Sequence, residues 1–128
     1  MVVLSNARDG REDEFNRWYD EHMRDTIDKL DGFTCAQRFE LADLPGGPEV
    51  PYRYLALYEV EDDRLARAYE QFLYGRQERA AALAAGRAPL VWVSDSLDPE
   101  KFLVGFYSAI TDQVPSRRLA GARPASGA

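Results

Sequence analysis

The segment from Tyr52 to Val60 constrains the fold most, because it predicts a strand that is apolar on both faces. Successive side chains of a strand point to opposite sides of the sheet. One side carries Tyr54, Ala56 and Tyr58, and the other carries Leu55 and Leu57. Both sides of a sheet built around this strand must therefore be covered by other apolar groups.

The segment from Glu14 to Leu30 predicts a helix that covers one of these sides. Its apolar side chains recur at spacings of three and four, which is typical of a helix with one buried face. They are Phe15, Trp18, Tyr19, His22, Met23, Thr26, Ile27 and Leu30. Acidic residues near Asp9 to Glu12 favour the start of the helix, and Gly32 favours a left-handed cap at its end. The chain's only histidine, His22, is therefore expected on the buried face.

Two further strands are predicted in the first half of the chain. Val2 to Asn6 is a short apolar run that ends at a turn, and Phe33 to Ala42 alternates along its length. Phe33, Cys35, Gln37, Phe39 and Leu41 are expected on one face, and Thr34, Ala36, Arg38 and Glu40 on the other. Cys35 is interpreted as a small buried core residue. Leu44 to Pro51 is rich in turn formers and predicts a hairpin loop.

The second half predicts another helical region and two extended segments. Asp62 or Asp63 is expected to cap a helix. The apolar stripe of this helix is Leu65, Ala68, Tyr69, Phe72 and Leu73. Gly75 is expected to interrupt it, with Arg76 to Ala85 helical again before Gly86 and Pro89. The extended segments are Leu90 to Leu97 and Phe102 to Thr111.

This order of elements predicts an α+β fold with one antiparallel sheet and its helices on a single face. Two main helices cover only that face, and the chain has no spare element for the other. We therefore expect a symmetric homodimer in which the sheet of a second copy covers the open face. Residues 1–114 form this domain, and residues 115–128 are expected to be a disordered C-terminal tail.

Composition excludes several classes of function. The net charge of -6 argues against nucleic acid binding, which needs a concentrated basic surface. A single cysteine excludes an internal disulfide, and with a single histidine it excludes a zinc site of the Cys/His type. No segment reaches the length of a membrane span, and the first residues lack the features of a signal peptide. We expect a cytoplasmic protein that binds neither nucleic acid nor membrane.

Three segments resemble the EthD-like families of the dimeric α+β barrel superfamily. They are FNRWYDEH at Phe15 to His22, GFTCAQRF at Gly32 to Phe39 and YRYLALYE at Tyr52 to Glu59. The families tend to carry F-x-x-W-Y-x-x-H, G-F-x-x-x-x-R-F and Y-L-A-L-Y-E. A proline often follows that histidine, whereas here the sequence continues Met-Arg-Asp.

This resemblance implies a ferredoxin-like protomer that pairs through its sheets into a dimeric barrel. It also implies a cavity between the sheet and the helices of each protomer. The superfamily includes cofactor-free monooxygenases, polyketide cyclases, lactone isomerases, dehydratases and haem enzymes, so the fold alone implies no single reaction.

His22 is the candidate catalytic base or acid, because only histidine has an ordinary pKa near neutrality. An apolar pocket would lower its pKa and keep the ring neutral. The competing interpretation is a structural histidine bonded to a backbone or tyrosine oxygen. Tyr58 and Tyr54 are four residues apart and lie on the same face of the predicted strand. Their hydroxyls are candidate catalytic groups that would bind a ligand oxygen, or else both residues only pack across the strands.

The candidates for substrate binding are Trp18, Tyr19, Asn6, Arg38 and Tyr107. Trp18 and Tyr19 either line the cavity or only pack the core. Tyr107 lies on the last predicted strand, within reach of the cavity. Asn6, at the end of the first predicted strand, is similar in position to an asparagine of haem-degrading superfamily members. The histidine of those members lies on a later helix, whereas His22 is on the first.

Two interpretations are open for the roles of Arg38 and Arg53. A partly buried arginine usually contacts a carboxylate, so an ion pair with Glu40 or Glu59 is one interpretation. Binding of a substrate carboxylate by Arg38 is the other.

The leading hypothesis is a cofactor-independent enzyme for a small, mostly apolar, aromatic or polyketide-like molecule. His22 would move a proton while Tyr58 or Tyr54 holds a carbonyl or phenol oxygen, in an isomerisation, dehydration, cyclisation or oxygenation. No cofactor or metal is expected. The alternatives are a non-catalytic dimer that binds a small molecule in the same cavity, and a haem-binding protein with His22 as axial ligand.

Overall fold

A computed structural model describes residues 1–119 and contains one antiparallel sheet of four strands and two long helices. The elements are β1 (Val2–Ala7), α1 (Glu12–Lys29), β2 (Phe33–Glu40), β3 (Tyr54–Val60), a 3-10 turn (Asp62–Arg64), α2 (Leu65–Ala84) and β4 (Leu97–Gly105). The strand order is β2-β3-β1-β4, and every neighbouring pair is antiparallel. The predicted α+β class is confirmed, and the arrangement is compatible with a ferredoxin-like fold.

The core lies between the helices and one face of the sheet. Val3 of β1 and Tyr54, Ala56 and Tyr58 of β3 are buried on that face, as the alternation predicts. Phe15 of α1 is fully buried. Its ring lies 5.8 Å from Trp18, 5.4 Å from Tyr19 and 5.1 Å from Tyr54, measured between ring centroids. These aromatic contacts hold α1 against the centre of the sheet.

A β-bulge in β2 changes which of its residues face the core. Phe33 pairs with Val60, but Cys35 pairs with Glu59, so Thr34 is an extra residue without a partner of its own. One extra residue reverses the side-chain alternation of the rest of the strand. Phe33 is therefore buried on the helix side, whereas Cys35, Gln37 and Phe39 are exposed.

The bulge makes two predictions for β2 wrong. Cys35 does not share a face with Phe33 and is not a core residue. Its thiol is exposed and donates a hydrogen bond to Glu59 Oε2 at 3.0 Å, which raises the pKa of the thiol. On the helix side, Phe33 is followed by Ala36 and Arg38, both of them partly buried.

The predicted interruption of the second helix at Gly75 is also wrong. α2 is continuous through this residue, which is buried. A Cβ atom at position 75 would lie 3.2 Å from Leu30 Cδ1, so the glycine allows close packing against the end of α1. At the start of the helical region, the N-cap residues are Glu61 and Arg64, and neither makes a side-chain capping bond. The predicted caps, Asp62 and Asp63, lie within the 3-10 turn instead.

The last strand begins and ends earlier than predicted. Because β4 ends at Gly105, residues 106–111 are not part of the sheet. Phe106 packs edge-on against Tyr69 and Phe72 of α2, at centroid distances of 5.3 and 5.6 Å. Residues 90–96, predicted as extended, form an irregular loop. We call residues 86–96 the α2–β4 loop.

The second face of the sheet carries a row of apolar residues that residues 1–119 leave partly exposed. Cross-strand pairs connect Phe39 to Leu55, Leu55 to Leu4, and Leu4 to Leu103, which gives one apolar row across all four strands. Phe39 is 39% exposed and Leu103 is 54% exposed. We call this row the open sheet face. Of these residues, the sequence predicted Leu55 on the side of β3 opposite Tyr54, Ala56 and Tyr58.

No helix within residues 1–119 is long and apolar enough to cross a membrane. The predicted C-terminal tail, residues 115–128, is described only in part. Residues 117–119 form a turn, and residues 120–128 lie outside the described part of the chain. The domain boundary at residue 114 stays a prediction.

The contact between Gly32 and α2 gives a stability prediction. Gly32 has φ +105°, and a Cβ there would lie 2.8 Å from Ala68 Cα, whereas Gly86 has φ +72° with no atom within 4 Å of its Cβ position. Backbone strain and overlap together should lower the free energy of unfolding of Gly32→Ala by about 3 kcal/mol. Gly86→Ala carries only the strain, about 1 kcal/mol. Urea denaturation measures both, and equal losses would contradict this account of Gly32.

Candidate functional site

A cavity of about 160 Å³ lies between the two helices, the sheet and the α2–β4 loop. Its lining is mostly apolar and aromatic, with Trp18, Tyr19 and His22 contributed by α1. An engineered protein cavity of about 150 Å³ holds one benzene molecule. The cavity therefore has the size of a single aromatic ring. Phe102, which is 41% exposed, lies on its border, so the cavity is close to the protein surface.

One backbone carbonyl fixes the two key side chains of α1. Trp18 Nε1 donates a hydrogen bond to Trp92 O at 3.0 Å, and His22 Nδ1 lies 3.0 Å from the same oxygen. A carbonyl oxygen only accepts, so His22 Nδ1 must carry a hydrogen. In the neutral ring, Nε2 then has a free lone pair and is able to accept a proton. A bond to a backbone oxygen is the contact that the competing interpretation of His22, a structural histidine, predicts. The sequence did not indicate that Trp92 supplies this oxygen.

The surroundings of His22 keep its ring neutral. The ring lies 4.6 Å from the Trp18 ring and 5.4 Å from the Tyr19 ring, between centroids. Burial lowers the pKa of His22 to about 4, and the positive charge of Arg79 acts in the same direction. The hydrogen bond to Trp92 and the charge of Asp25 oppose this shift but are smaller. Near neutral pH, the His22 ring is therefore unprotonated at Nε2 and able to accept a proton.

Tyr58 is the tyrosine that lines the cavity. Its side chain is 3% exposed, and burial raises its pKa to about 12. The phenol therefore keeps its proton near neutral pH and is a hydrogen-bond donor. Tyr19 and Thr26 also line the cavity, and both oppose the rise in the pKa of Tyr58. Thr26 Oγ1 donates a hydrogen bond to His22 O at 2.8 Å.

Tyr54 and Asn6 lie away from this cavity. Tyr54 is buried, and its hydroxyl accepts a hydrogen bond from Asn16 Nδ2 at 3.2 Å. Asn6 Nδ2 donates to Pro51 O at 2.9 Å, and Asn6 Oδ1 accepts from Arg53 N at 2.6 Å. Both polar groups of Asn6 therefore hold the chain that leads into β3. The structure does not bring either predicted residue to His22.

Arg38 and Tyr107 also lie outside the cavity lining. Arg38 donates to Asp20 Oδ1 at 2.9 Å and to Asn16 Oδ1 at 2.7 Å, and its guanidinium stacks 4.6 Å from the centre of the Tyr19 ring. Its carboxylate partner is therefore Asp20 and not the predicted Glu40 or Glu59. Tyr107 lies beyond the end of β4 and is 72% exposed.

Glu40 is the partner of Arg53 instead, at 2.6 Å, which is one of the two pairs predicted for Arg53. Both predicted arginines thus have protein carboxylates as partners in residues 1–119.

Two groups at the site had no place in the sequence-based hypothesis: the Trp92 carbonyl and the arginines of α2. Arg76 and Arg79 line the cavity beside Phe72 and Gly75. The spacing of three and four between these positions continues the predicted stripe of α2, and it would have indicated both arginines. The Trp92 carbonyl is a backbone group in an irregular loop, so no side-chain pattern indicates it.

The α2–β4 loop is held in place at several points, so the Trp92 carbonyl has a fixed position. Glu78 of α2 accepts hydrogen bonds from Arg87 Nη1 and from Leu90 N, both at 2.7 Å. Lys29 Nζ donates to Leu90 O at 3.0 Å. At the far end of the loop, Arg11 Nη2 contacts Asp95 Oδ1 at 2.7 Å. Both helices therefore anchor the loop.

Comparison of the chain with protein-family models finds no matching family, and neither a curated protein nor a solved structure matches it.

The low pKa of His22 gives a prediction for the pH dependence of stability. The unfolded chain binds a proton at the ordinary value of 6.5, whereas the folded chain binds it at about 4. As pH falls between these values, proton uptake favours the unfolded state, so stability is lost. The loss due to His22 alone should be about 3 kcal/mol at most. Urea denaturation of the wild type and His22→Gln across this range isolates it, and parallel curves would exclude a buried neutral histidine.

Proposed function

We propose that this protein is a cofactor-independent enzyme that transfers a proton on a small, mostly apolar, single-ring molecule. His22 acts as the general base. The observation that carries the proposal is the hydrogen bond between His22 Nδ1 and the Trp92 carbonyl inside an aromatic cavity. It supports a neutral ring whose Nε2 is the basic atom.

The proposed reaction begins with a ring carbon that bears a hydrogen beside a carbonyl group. His22 Nε2 takes that proton, and the electron pair of the broken C–H bond moves to the carbonyl oxygen to form an enolate. Tyr58 donates a hydrogen bond to that oxygen and stabilises its charge. Return of the proton from Nε2 to another atom completes an isomerisation. The same enolate is the starting point for dehydration, for cyclisation or, with dioxygen as the oxidising co-reactant, for oxygenation.

The sequence motifs support this assignment independently. The segment from Phe15 to His22, which resembles EthD-like families, carries Trp18, Tyr19 and His22 of the cavity. The segment from Tyr52 to Glu59 carries Tyr58. Cofactor-free enzymes belong to the superfamily that these segments resemble, and membership of an EthD-like family is part of the proposal.

The cavity fits a haem group poorly. A haem has four pyrrole rings in one plane, whereas the volume of about 160 Å³ corresponds to a single ring. This volume also favours a molecule that is smaller than the polycyclic products of polyketide cyclases. The remaining alternative is a non-catalytic protein that binds a single-ring molecule in the same cavity.

Deuterium exchange tests proton transfer with a panel of simple compounds that share the reacting group. We expect the wild type in deuterated water to exchange the acidic C–H of one compound class in a panel of single-ring ketones and lactones. His22→Gln should lower the exchange rate about a hundredfold or more. Proton NMR follows the loss of the C–H signal. Binding of panel members without any exchange would favour the non-catalytic alternative, and undiminished exchange by His22→Gln would exclude His22 as the base.

The two tyrosines of β3 provide a second test. Tyr58→Phe should slow the same exchange, because the enolate loses its hydrogen-bond donor. Tyr54→Phe should retain the wild-type rate, because its hydroxyl bonds Asn16 outside the cavity. Each variant removes one hydroxyl from a buried tyrosine, so a loss of rate in Tyr54→Phe instead would contradict the assignment of Tyr58.

We also propose that two copies pair through the open sheet face to form a dimeric barrel. The face carries Leu4, Leu55 and Leu103 in adjacent strands, with Phe39 at one edge. Exposed apolar patches of this kind are typical of protein interfaces. A second sheet offers a face of the same shape and chemistry, so a symmetric pair covers both.

A charge placed on the open sheet face should prevent this pairing. Leu55→Glu puts a carboxylate at the centre of the apolar row, and we expect light scattering to change from a dimer to a monomer mass. Leu83→Glu is the matched control, because Leu83 is 61% exposed on α2, away from the sheet. A wild type that is monomeric at high concentration, or a Leu55→Glu variant that remains dimeric, would exclude the proposed interface.

A further inference from the structure

Arg79 lacks the ion pair that the other partly buried arginines have. Within residues 1–119 the partly buried arginines are Arg11, Arg38, Arg64 and Arg79. The first three contact Glu14 at 2.6 Å, Asp20 at 2.9 Å and Asp31 at 2.6 Å respectively. No carboxylate of the described residues lies within 4.0 Å of the Arg79 guanidinium. Partial burial removes part of the hydration of this cation, so an anion beside Arg79 would stabilise it.

The position of Arg79 indicates where that partner would bind. Phe72, Gly75, Arg76 and Arg79 follow one another at helical spacing, and all four line the cavity. Arg79 faces this space from α2, and His22 faces it from α1. The charge of Arg79 lowers the pKa of His22, and the charge of Arg76 adds to burial in lowering the pKa of Arg79. Two cations and the histidine therefore share one small space in a protein whose net charge is -6.

We propose that the ligand of this cavity is a single-ring carboxylate, whose carboxylate binds the Arg79 guanidinium while its ring lies beside Trp18 and His22. The inference rests on the proposed function, because it names the substrate class of the same site. A guanidinium offers two parallel N–H donors that match the two oxygens of a carboxylate. The apolar lining fits the ring, and the volume leaves room for little else.

This arrangement also couples ligand binding to the base. The charged and titratable groups around His22 are Arg76 and Arg79 on α2, Asp25 on α1 and the hydroxyls of Tyr19 and Tyr58. Asp25 already lies 3.6 Å from Lys29. A carboxylate on Arg79 offsets the positive charge that disfavours the imidazolium, so it raises the pKa of His22. The substrate would thus strengthen the base that acts on it.

Benzoate and its neutral analogue benzamide test the inference. The two molecules have the same ring and nearly the same shape, and the ring proton signals of the single histidine report binding and pKa together by NMR. We expect the wild type to bind benzoate about tenfold or more tighter than benzamide, because a hydrogen-bonded charge pair is added. Benzoate should raise the pKa of His22, and benzamide should leave it low.

Arg79→Gln should lose the preference for benzoate and the pKa rise on binding, and it should retain its affinity for benzamide. Arg79→Lys keeps the charge, so it should retain part of the preference for benzoate. Arg17→Gln is the matched control: Arg17 is exposed on α1 and lies in no ion pair of the described residues. It removes one positive charge from the protein surface and should bind both molecules as the wild type does.

Three outcomes would overturn the inference: benzoate binding no tighter than benzamide to the wild type, benzoate affinity unchanged in Arg79→Gln, or no movement of the His22 signals at the solubility limit of benzoate. The first and third outcomes are measured on the wild type, so the inference is tested even if Arg79→Gln does not fold. None of these measurements depends on turnover. Absence of deuterium exchange would favour the non-catalytic alternative and leave the carboxylate assignment standing. Failure of the benzoate test would exclude the carboxylate assignment and leave proton transfer by His22 standing.

Discussion

The carbonyl group of Trp92 is the contact on which the site depends. It accepts one hydrogen bond from the Trp18 indole and one from the His22 ring, each at 3.0 Å. Together these bonds attach the α2–β4 loop to α1 and close one side of the cavity. They also determine which nitrogen of the histidine carries the hydrogen, because a carbonyl cannot donate. One backbone oxygen therefore shapes the cavity and sets the chemistry of its base.

The aromatic packing of α1 makes that contact possible. Phe15 anchors the helix to β3, and Trp18 and Tyr19 extend the aromatic layer towards His22. The histidine loses hydration in this setting, so it remains neutral, and Tyr58 remains protonated for the same reason. Desolvation thus keeps an unprotonated histidine and a protonated tyrosine in the lining of one cavity. Arg79 adds a positive charge that lacks a protein carboxylate among the described residues, which is why we propose an anionic ligand for the cavity.

Much of the fold could be predicted because it follows from periodicity. The stripe from Phe15 to Leu30 and the two apolar faces of β3 are properties of local sequence, and they imply helices on one side of an antiparallel sheet. The bulge at Thr34 could not be predicted, because one extra residue leaves no mark on an alternating pattern. Gly75 was predicted to interrupt the helix. Its actual role depends on the close approach of Leu30, and local sequence does not show that contact.

At the site, helical spacing was enough to indicate His22 and Trp18. Tyr54 and Tyr58 share one strand face, and only the position of the cavity distinguishes them.

The protonation state of His22 in the folded protein is the most direct test of this account. Nitrogen-15 NMR of the uniformly labelled wild type distinguishes protonated from unprotonated ring nitrogens at neutral pH. The structure predicts a neutral ring with hydrogen on Nδ1 and a free lone pair on Nε2, unchanged until the pH approaches about 4. A ring with hydrogen on Nε2, or an imidazolium with hydrogen on both nitrogens near neutral pH, would contradict the role of the Trp92 carbonyl and the assignment of His22 as the base.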